Sequence, residues 1–335
     1  MNYKSRRTTR AAFTIVEVLV VLGILTLILS IAIPGVMNVR DSSRKLQCMS
    51  RLRQIGIATE SFYASRRRYP VFWASDPGYQ GPMRNDSVLA QLLPYLDQQP
   101  LHDSINPESM PSMGEPPTSK VNSEVIKTNV LAFVCPSDDV PSGGTSFRTN
   151  YGTTTGIHAT WSWGKPLPGK LEEQGLWGGL RSANQPGKIL DGLSNTVFFS
   201  ERLVGDGDSS VFIPSRDVAK SGGYSHRPAD AIANCTLVKD VSEHASYLGW
   251  SWLPQGYTHT AYNHVMTPNS KLPDCFDSWN HHTMAQGAMT ARSYHAGGVN
   301  VVFGDASSRF ISDSIALEVW RALGTNHGGE VTNDF

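Results

Sequence analysis

A run of apolar residues near the N-terminus, AAFTIVEVLVVLGILTLILSIAIPGV, constrains the fold of this chain more than any other stretch. Residues 18–37 carry no formal charge, and a helix of about twenty residues spans about 30 Å, the thickness of the hydrocarbon core of a bilayer. The run therefore predicts a helix that crosses a membrane once. Glu17 directly precedes this segment, although an isolated charge in hydrocarbon is costly.

Two other interpretations of the apolar run remain open. The triplet Ser30-Ile31-Ala32 offers a small-x-small site after which a signal peptidase could remove a secretory signal peptide, and the run could also be a plain signal anchor, with Glu17 among the lipid headgroups. Lys and Arg residues occur on both sides of the run, so their distribution does not decide its orientation.

Composition narrows the classes of function. The 29 Lys and Arg residues balance the 29 Asp and Glu residues, so no net field draws the chain to nucleic acid. Gly, Pro, Ser, Thr and Asn are plentiful after residue 70, which favours short strands joined by turns. Four cysteines, none in a C-x-x-C pair, argue against a zinc ribbon or a thioredoxin-like site. If the body lies outside the cytoplasm, Cys235 and Cys275 form the predicted disulfide, because both lie in one loop-rich region.

The segment after the apolar run continues the helical pattern. Pro34-Gly35 predicts a kink or a local loss of helix. Beyond it, apolar and small residues recur at a spacing of three to four, and the helix should end before Pro70. This stripe consists of Leu46, Met49, Leu52, Ile55 or Gly56, Thr59, Phe62 and Tyr63.

The rest of the chain predicts an antiparallel β-rich body. Apolar runs bounded by turn residues indicate strands, and one short patch indicates a helix. The predicted strands are residues 130–135, 196–201 and 299–304, and the predicted helix lies within residues 87–96. His295-Ala-Gly-Gly followed by the last strand and by Asp305 indicates a hairpin, in which both side chains are predicted to form local hydrogen bonds. The alternative is a metal-binding or catalytic role for this pair.

No established catalytic motif is present. The sequence lacks a phosphate loop, a G-x-S-x-G elbow, an H-E-x-x-H helix and an EF-hand spacing, so an enzyme is not predicted. Residues of a histidine-rich region could assemble a transition-metal site, but no pair shows ligand spacing on one element, and surface and turn positions are the favoured interpretation. This region contains His244, His259, His264, His281, His282 and His295, with Asp274 and Asp277 nearby. Tryptophans with glycine neighbours could stack on a glycan, but packing is the favoured interpretation; they are Trp161, Trp163, Trp177, Trp250, Trp252 and Trp279.

The N-terminal motif resembles that of type IV pilins and type II secretion pseudopilins. A basic leader ends in the small residue Ala12 and is followed by Phe13-Thr14-Ile15-Val16-Glu17 and the apolar run. The resemblance implies that a prepilin peptidase cleaves between Ala12, where the family most often has Gly, and Phe13, which becomes the N-methylated first residue. Glu17, the fifth residue of the mature chain, would then pair with the terminal amine of a neighbouring subunit.

The body resembles a bacterial family of pilin-like, secretion-protein-G-like proteins with a C-terminal domain of unknown function (1559). The matching stretches are LQCMSRLRQIGIATESFY, AFVCPSDD, NYGTTTG, DGLSNTVFFSE, MTPNSKLPDC and SYHAGGVNVVFGDASSRFI. The C-terminal signature of that family is a His, nine residues and then Asp-Gly. His295 and Asp305 match it, whereas Ala306 replaces the Gly. Major pseudopilins bind calcium through a C-terminal loop, but Asp274, Asp277, Asp305 and Asp313 do not align with such a loop. No cofactor is therefore expected, with calcium as the alternative.

Together these expectations give an α+β protein in which a long helix packs on an antiparallel β-rich domain. Its parts are a leader (1–12), a transmembrane and assembly helix (13–37), its amphipathic continuation (38–69) and an extracytoplasmic domain (70–335). We expect a single-pass protein of the bacterial inner membrane, with a cytoplasmic N-terminus and a periplasmic or extracellular body. Its expected partners are the prepilin peptidase, other pilin-like subunits and the bilayer. The alternative is an anchored domain that binds a glycan or a metal.

Overall fold

The computed structural model describes residues 14–71, 86–106, 120–138, 149–155, 175–177, 187, 189–221, 227–238, 241–277 and 287–329. The leader, Ala12 and Phe13 lie outside these residues, as do His281, His282 and the segment 107–119. The chain divides into two compact units, residues 1–44 and 45–335.

The described helices and strands alternate irregularly along the chain. The α-helices are α1 (Ile15–Arg66), α2 (Val88–Leu92), α3 (Gln99–Asp103), α4 (Lys120–Ile126), α5 (Pro228–Thr236) and α6 (Leu317–Gly324). Short 3-10 helices cover Leu93–Leu96 and Leu131–Phe133. The strands are β1 (Tyr151–Thr154), β2 (Val197–Glu201), β3 (Val218–Lys220), β4 (His244–Ala245), β5 (Ala261–Tyr262), β6 (Asp274–Phe276), β7 (Gly287–Ala288), β8 (Gly298–Phe303) and β9 (Ser308–Ser312).

Helix α1 contains 52 residues and begins directly after Thr14. It is continuous through Pro34 and Gly35, so the predicted local loss of helix does not occur. Proline removes one backbone hydrogen bond, whereas a melted turn would leave several backbone groups without partners. The N-terminal part has the length and composition of a membrane span or a signal sequence, and none of the residues in its apolar window is buried. The helix ends at Arg66, before Pro70, as predicted.

The part of α1 that follows Arg44 buries one face in the body. Its most buried apolar positions are Cys48, Leu52, Ile55, Ala58 and Phe62. Leu46, predicted to start this stripe, is 65 % exposed, so the buried face begins at Cys48 instead. Gly56 permits a close approach of the helix to a strand, because a Cβ atom there would lie 2.7 Å from Cγ2 of Val302.

The described strands form two mixed sheets. The larger has the order β5-β1-β2-β8-β9 and the smaller the order β4-β3-β6-β7. Most neighbouring strands are antiparallel, but β1 pairs in parallel with β5, and β3 with β6. The α+β class with a long N-terminal helix packed on sheets is thus confirmed. The two parallel pairs arise because long connections return β5 and β6 beside earlier strands.

Four local elements were predicted, three strands and one helix, and the structure agrees with three of them. Strands β2 and β8 occupy two of the three predicted runs, and the helical patch is α2 followed by a 3-10 turn, with Ser87 as its N-cap. The third run, residues 130–135, is a 3-10 helix rather than a strand. Its backbone bonds to a loop rather than to a neighbouring strand: the N–H of Asn150 donates to the carbonyl of Phe133.

The C-terminal hairpin joins β8 to β9 and adopts a tight turn. The side chain of Asp305 accepts a hydrogen bond from the N–H of Ser307 at 2.9 Å. Ala306, which replaces the Gly of the family signature, has a φ of 62°. The backbone therefore keeps a left-handed conformation that suits glycine, although alanine occupies the position.

Candidate functional site

A carboxylate is buried at the end of the central strand β2. Glu201 is the last residue of this strand and is 1 % exposed. Asn300, on the neighbouring strand β8, donates to it twice: its backbone N–H to Oε2 at 2.8 Å and its side-chain amide to Oε1 at 3.0 Å. The pairing of β2 with β8 therefore fixes the orientation of the carboxylate.

The imidazole of His295 faces this carboxylate. Its Nε2 atom lies 3.1 Å from Oε1 of Glu201 and 3.7 Å from Sγ of Cys135. In the tautomer with hydrogen on Nε2, the imidazole donates a hydrogen bond to this carboxylate oxygen. His295 is 7 % exposed and lies in the turn before β8, where Ser293 accepts a hydrogen bond from its backbone N–H.

A disulfide between Cys48 and Cys135 completes the cluster. It joins α1 to the loop after the second 3-10 helix, across a sequence separation of 87. The side chains of Cys48, Cys135, Glu201 and His295 offer one sulfur, nitrogen or oxygen atom each, and these atoms all lie within 4.8 Å of one another. We call these four residues the Cys-Glu-His cluster. With the disulfide formed, the contact between the side chains of Glu201 and His295, at 3.1 Å, is shorter than that between Cys135 and His295, at 3.7 Å.

Hydrogen bonds that do not involve sulfur hold the backbone on both sides of this disulfide. The hydroxyl of Tyr151 donates to the carbonyl of Cys48 at 3.1 Å. The guanidinium of Arg51 donates to the carbonyl of Val134 at 2.7 Å, and the N–H of Cys135 donates to Oδ1 of Asn150 at 2.9 Å. These hydrogen bonds hold the backbone beside both cysteines in addition to the S–S bond.

A buried ion pair lies in the adjoining loops. The guanidinium of Arg216 contacts Oδ1 of Asp138 at 2.7 Å, and both side chains are almost fully buried. Asp138 also accepts hydrogen bonds from Asn150 and from the N–H of Val204. Because all of these contacts cross between loops, the arrangement is typical of a structural network that fixes loop positions.

A second carboxylate–imidazole contact lies beside the smaller sheet. Oδ2 of Asp217 lies 3.8 Å from Nε2 of His244 and accepts a hydrogen bond from the N–H of Ile213 at 2.6 Å. Burial raises the pKa of Asp217 to about 6, the Ile213 hydrogen bond opposes the rise, and the charge of Asp206 adds to it. This carboxyl is thus protonated more readily than an exposed aspartate.

The structure joins Cys235, on α5, to Cys275, on β6, which is the pair named from the sequence. His295 and Asp305 stand at opposite ends of β8 and have different partners. Asp305 caps its own turn, as expected for a local partner. His295 instead contacts a residue 94 positions away.

The histidine-rich region does not converge on one site within the described residues. His264 is fully buried and stacks on Trp320, and its Nδ1–H donates to the Trp320 carbonyl at 2.7 Å. Burial lowers the pKa of His264 to about 3, so it stays neutral. His259 is buried elsewhere, and His244 contacts Asp217.

The acidic residues considered for calcium also have separate partners. Asp274 pairs with Arg292 at 2.9 Å, and Asp313 accepts a hydrogen bond from Asn269 at 2.8 Å. Of the described tryptophans, Trp177 and Trp252 are buried in the core, which supports the packing interpretation. Trp161, Trp163 and Trp279 lie outside the described residues.

Glu201 and Asn300 were not identified from the sequence. The available signal was a carboxylate at the end of an apolar strand, VFFSE, since a charge in that position needs a buried partner. The identity of the partner depends on how β2 pairs with β8, which local patterns do not encode.

Comparisons with known proteins gave one match. A family model described as "Protein of unknown function (DUF1559)" matches residues 37–318, which include the whole Cys-Glu-His cluster. The match begins at Met37, so most of the apolar run precedes it. No curated protein and no solved structure matches significantly.

Proposed function

The chain belongs to the DUF1559 family of proteins of unknown function, and on this premise we propose that it is a non-enzymatic, pseudopilin-like structural subunit. It is exported as a prepilin, cleaved and N-methylated at Phe13, and assembles through α1 in a type II secretion or type IV pilus-like system. Its partners are the prepilin peptidase, other pilin-like subunits and the lipid bilayer.

The observation that carries this proposal is the division of α1 into two chemically different parts. From Ile15 to Val39 its large apolar side chains are between about half and four-fifths exposed, with Ile15 at 80 %. After Arg44 one face of the same helix is buried in the body. An apolar surface of this extent must be covered by lipid or by other helices. In the proposed subunit, lipid covers this surface while the chain is stored in the membrane, and the helices of neighbouring subunits cover it after assembly.

The start of α1 supports the same proposal. Thr14 and Glu17 form a capping box: the N–H and hydroxyl of Thr14 donate to Glu17 at 2.9 and 2.8 Å, and Thr14 accepts from the Glu17 N–H at 3.3 Å. Glu17 is therefore satisfied locally while the chain is alone. The proposed cleavage creates a cationic amine at Phe13, and Glu17 of a neighbouring subunit is its proposed counter-ion.

Localisation follows from the same helix. We propose that α1 spans the bacterial inner membrane once, with its N-terminus in the cytoplasm and residues 70–335 on the outer side. The disulfides Cys48–Cys135 and Cys235–Cys275 support an extracytoplasmic body, because such bonds persist in oxidising compartments.

Intact-mass measurement tests the processing step. The chain would be coexpressed with a prepilin peptidase and purified from membranes. We expect a chain that begins at N-methyl-Phe13, and no change in mass when the peptidase is inactive. A membrane-bound chain that still begins at Met1 in the presence of active peptidase would contradict the proposal.

Two substitutions separate the charge of Glu17 from its capping role. Glu17→Gln retains the capping box, since glutamine also serves at that position, but it removes the charge. Thr14→Ala removes the cap and retains the charge. We expect Glu17→Gln to abolish assembly, measured by cross-linking between subunits in membranes, and Thr14→Ala to preserve it. Glu318→Gln, at an exposed position on α6, is the matched control.

A further inference from the structure

We propose that the Cys-Glu-His cluster is a zinc site that forms when the Cys48–Cys135 disulfide is reduced. Sγ of both cysteines, Nε2 of His295 and a carboxylate oxygen of Glu201 would be the four ligands. The inference does not depend on the proposed role in assembly.

The spacing of the ligand atoms carries the proposal. All four lie within 4.8 Å of one another. Nε2 lies 3.1 Å from the Glu201 oxygen and 3.7 Å from Sγ of Cys135. Zinc bonds of about 2.0–2.3 Å in a tetrahedron place neighbouring ligand atoms about 3.3–3.8 Å apart. The distances from Nε2 to the carboxylate oxygen and to the Cys135 sulfur are thus already close to the edges of such a tetrahedron.

The donor set matches zinc in chemical type. Two thiolates, one imidazole and one carboxylate are ligands that zinc accepts, and four protein ligands make a closed site of the structural kind. All four side chains are buried, with none of the residues more than 7 % exposed. Two thiolates beside a carboxylate in such a place need a cation to balance them.

The surroundings supply what such a site requires beyond its ligands. Asn300 donates to both oxygens of Glu201 and fixes the direction in which the carboxylate points. Tyr151, Arg51 and Asn150 hold the backbone around both cysteines without using the S–S bond. Reduction therefore frees the two sulfurs while their main chains stay in place.

The chemistry balances as two steps. A dithiol gives two electrons and two protons to the Cys48–Cys135 bond and closes into its own disulfide, leaving two thiols. Zinc(II) then binds both sulfurs, whose protons leave to solvent. Solvent takes the proton from Nε2 of His295 and returns one to Nδ1, so that the neutral imidazole binds zinc through Nε2.

The second disulfide supplies a matched control. Cys235 and Cys275 are also buried and bonded, but among the described residues they do not belong to a cluster of three or more potential ligands. Reduction of this pair exposes two thiols without the imidazole and the carboxylate.

The test uses the full chain in detergent, reduced with a phosphine, which takes oxygen from water and does not compete for zinc as thiols do. After incubation with zinc chloride and removal of free metal, zinc is counted by mass spectrometry. We expect one zinc per chain in the wild type and in Cys235→Ser/Cys275→Ser, and none in Cys48→Ser/Cys135→Ser or without reductant. Cobalt(II) in place of zinc should show thiolate-to-metal absorption in the first two proteins alone.

Several outcomes would overturn the proposal. These are a reduced wild-type chain that binds no zinc, equal binding by both double variants, or binding that is unaffected by His295→Ala. Circular dichroism checks folding: the unfolding temperature of the reduced chain should rise when zinc is added, because a ligand that binds the native state stabilises it. Absence of that rise, or unfolding of the reduced chain despite zinc, would also overturn it.

Discussion

Nε2 of His295 lies 3.1 Å from Oε1 of Glu201, although 94 positions separate the two residues. This contact ties the turn before β8 to the end of β2, inside the sheet. The two residues of the C-terminal signature therefore have different structural roles. His295 acts over long range in the buried cluster, whereas Asp305 caps the turn at the other end of β8.

Removing the charge of Glu201 should destabilise the fold. In Glu201→Gln an NH2 group replaces one carboxylate oxygen. This group donates hydrogen bonds and cannot accept them from Asn300 or His295, so a buried hydrogen bond is lost. We expect the free energy of unfolding in urea to fall by about 2–4 kcal/mol. Glu318→Gln, which makes the same change at the surface, should stay within about 0.5 kcal/mol of the wild type. Equal effects of the two substitutions would contradict the buried pair.

The oxidised chain should contain no free thiol, since all four cysteines are paired. Thiol titration in denaturant should detect none before reduction and four afterwards. Peptide mapping of the unreduced chain should link Cys48 to Cys135 and Cys235 to Cys275. A peptide that joins Cys48 to Cys235 or Cys275 would refute the placement of α1 on the body.

Replacing Ala306 by glycine should stabilise the protein. Alanine at a φ of 62° carries a left-handed strain of about 1–2 kcal/mol, which glycine avoids. Glycine also lowers stability by about 0.5–1 kcal/mol, because it loses more conformational entropy on folding than alanine does. The net expectation is a gain of about 0.5–1 kcal/mol, read from urea denaturation.

The control for this change is Ala233→Gly, at an exposed position inside α5. There the same substitution should cost about 1 kcal/mol, because the backbone is helical. If both glycine variants shifted stability in the same direction, the left-handed turn at Ala306 would be refuted.

Asp217 should make stability depend on pH. Burial raises its folded-state pKa from 3.8 to about 6, so the fold favours the protonated carboxyl. The contribution of this carboxyl to the free energy of unfolding is fully present below about pH 4 and is lost as the pH rises through about 6. The Asp217→Asn variant lacks this titrating group. Between about pH 4 and about pH 6, its free energy of unfolding should therefore decrease less steeply with rising pH than that of the wild type. Asp103→Asn, at an exposed site, should leave the slope unchanged.

The elements that the sequence predicted correctly depend on short-range patterns. The end of α1 before Pro70 follows from the helical spacing of apolar residues after Pro34-Gly35, and β2 and β8 are apolar runs between turn residues. The run at residues 130–135 has the same composition as these strands but is not one, because Phe133 and Cys135 are held by Asn150 rather than by a neighbouring strand. Composition does not reveal such a partner.

The candidate site was predictable in part. His295 could be named from a sequence signature, whereas Glu201 and the Cys48–Cys135 pair depend on contacts between distant segments. The strand register that places Asn300 beside Glu201 is a tertiary property. The same applies to Gly56, whose missing side chain lets α1 approach Val302.

The Cys48–Cys135 bond also has a mechanical consequence. Tension applied to the N-terminal part of α1 enters the second compact unit at Lys45 and reaches Cys48 within one helical turn. From there a covalent link transmits the load to the loop at Cys135, in parallel with the apolar contacts of the helix. In the oxidised chain, α1 therefore cannot be drawn out of the body by shear of its packed face alone.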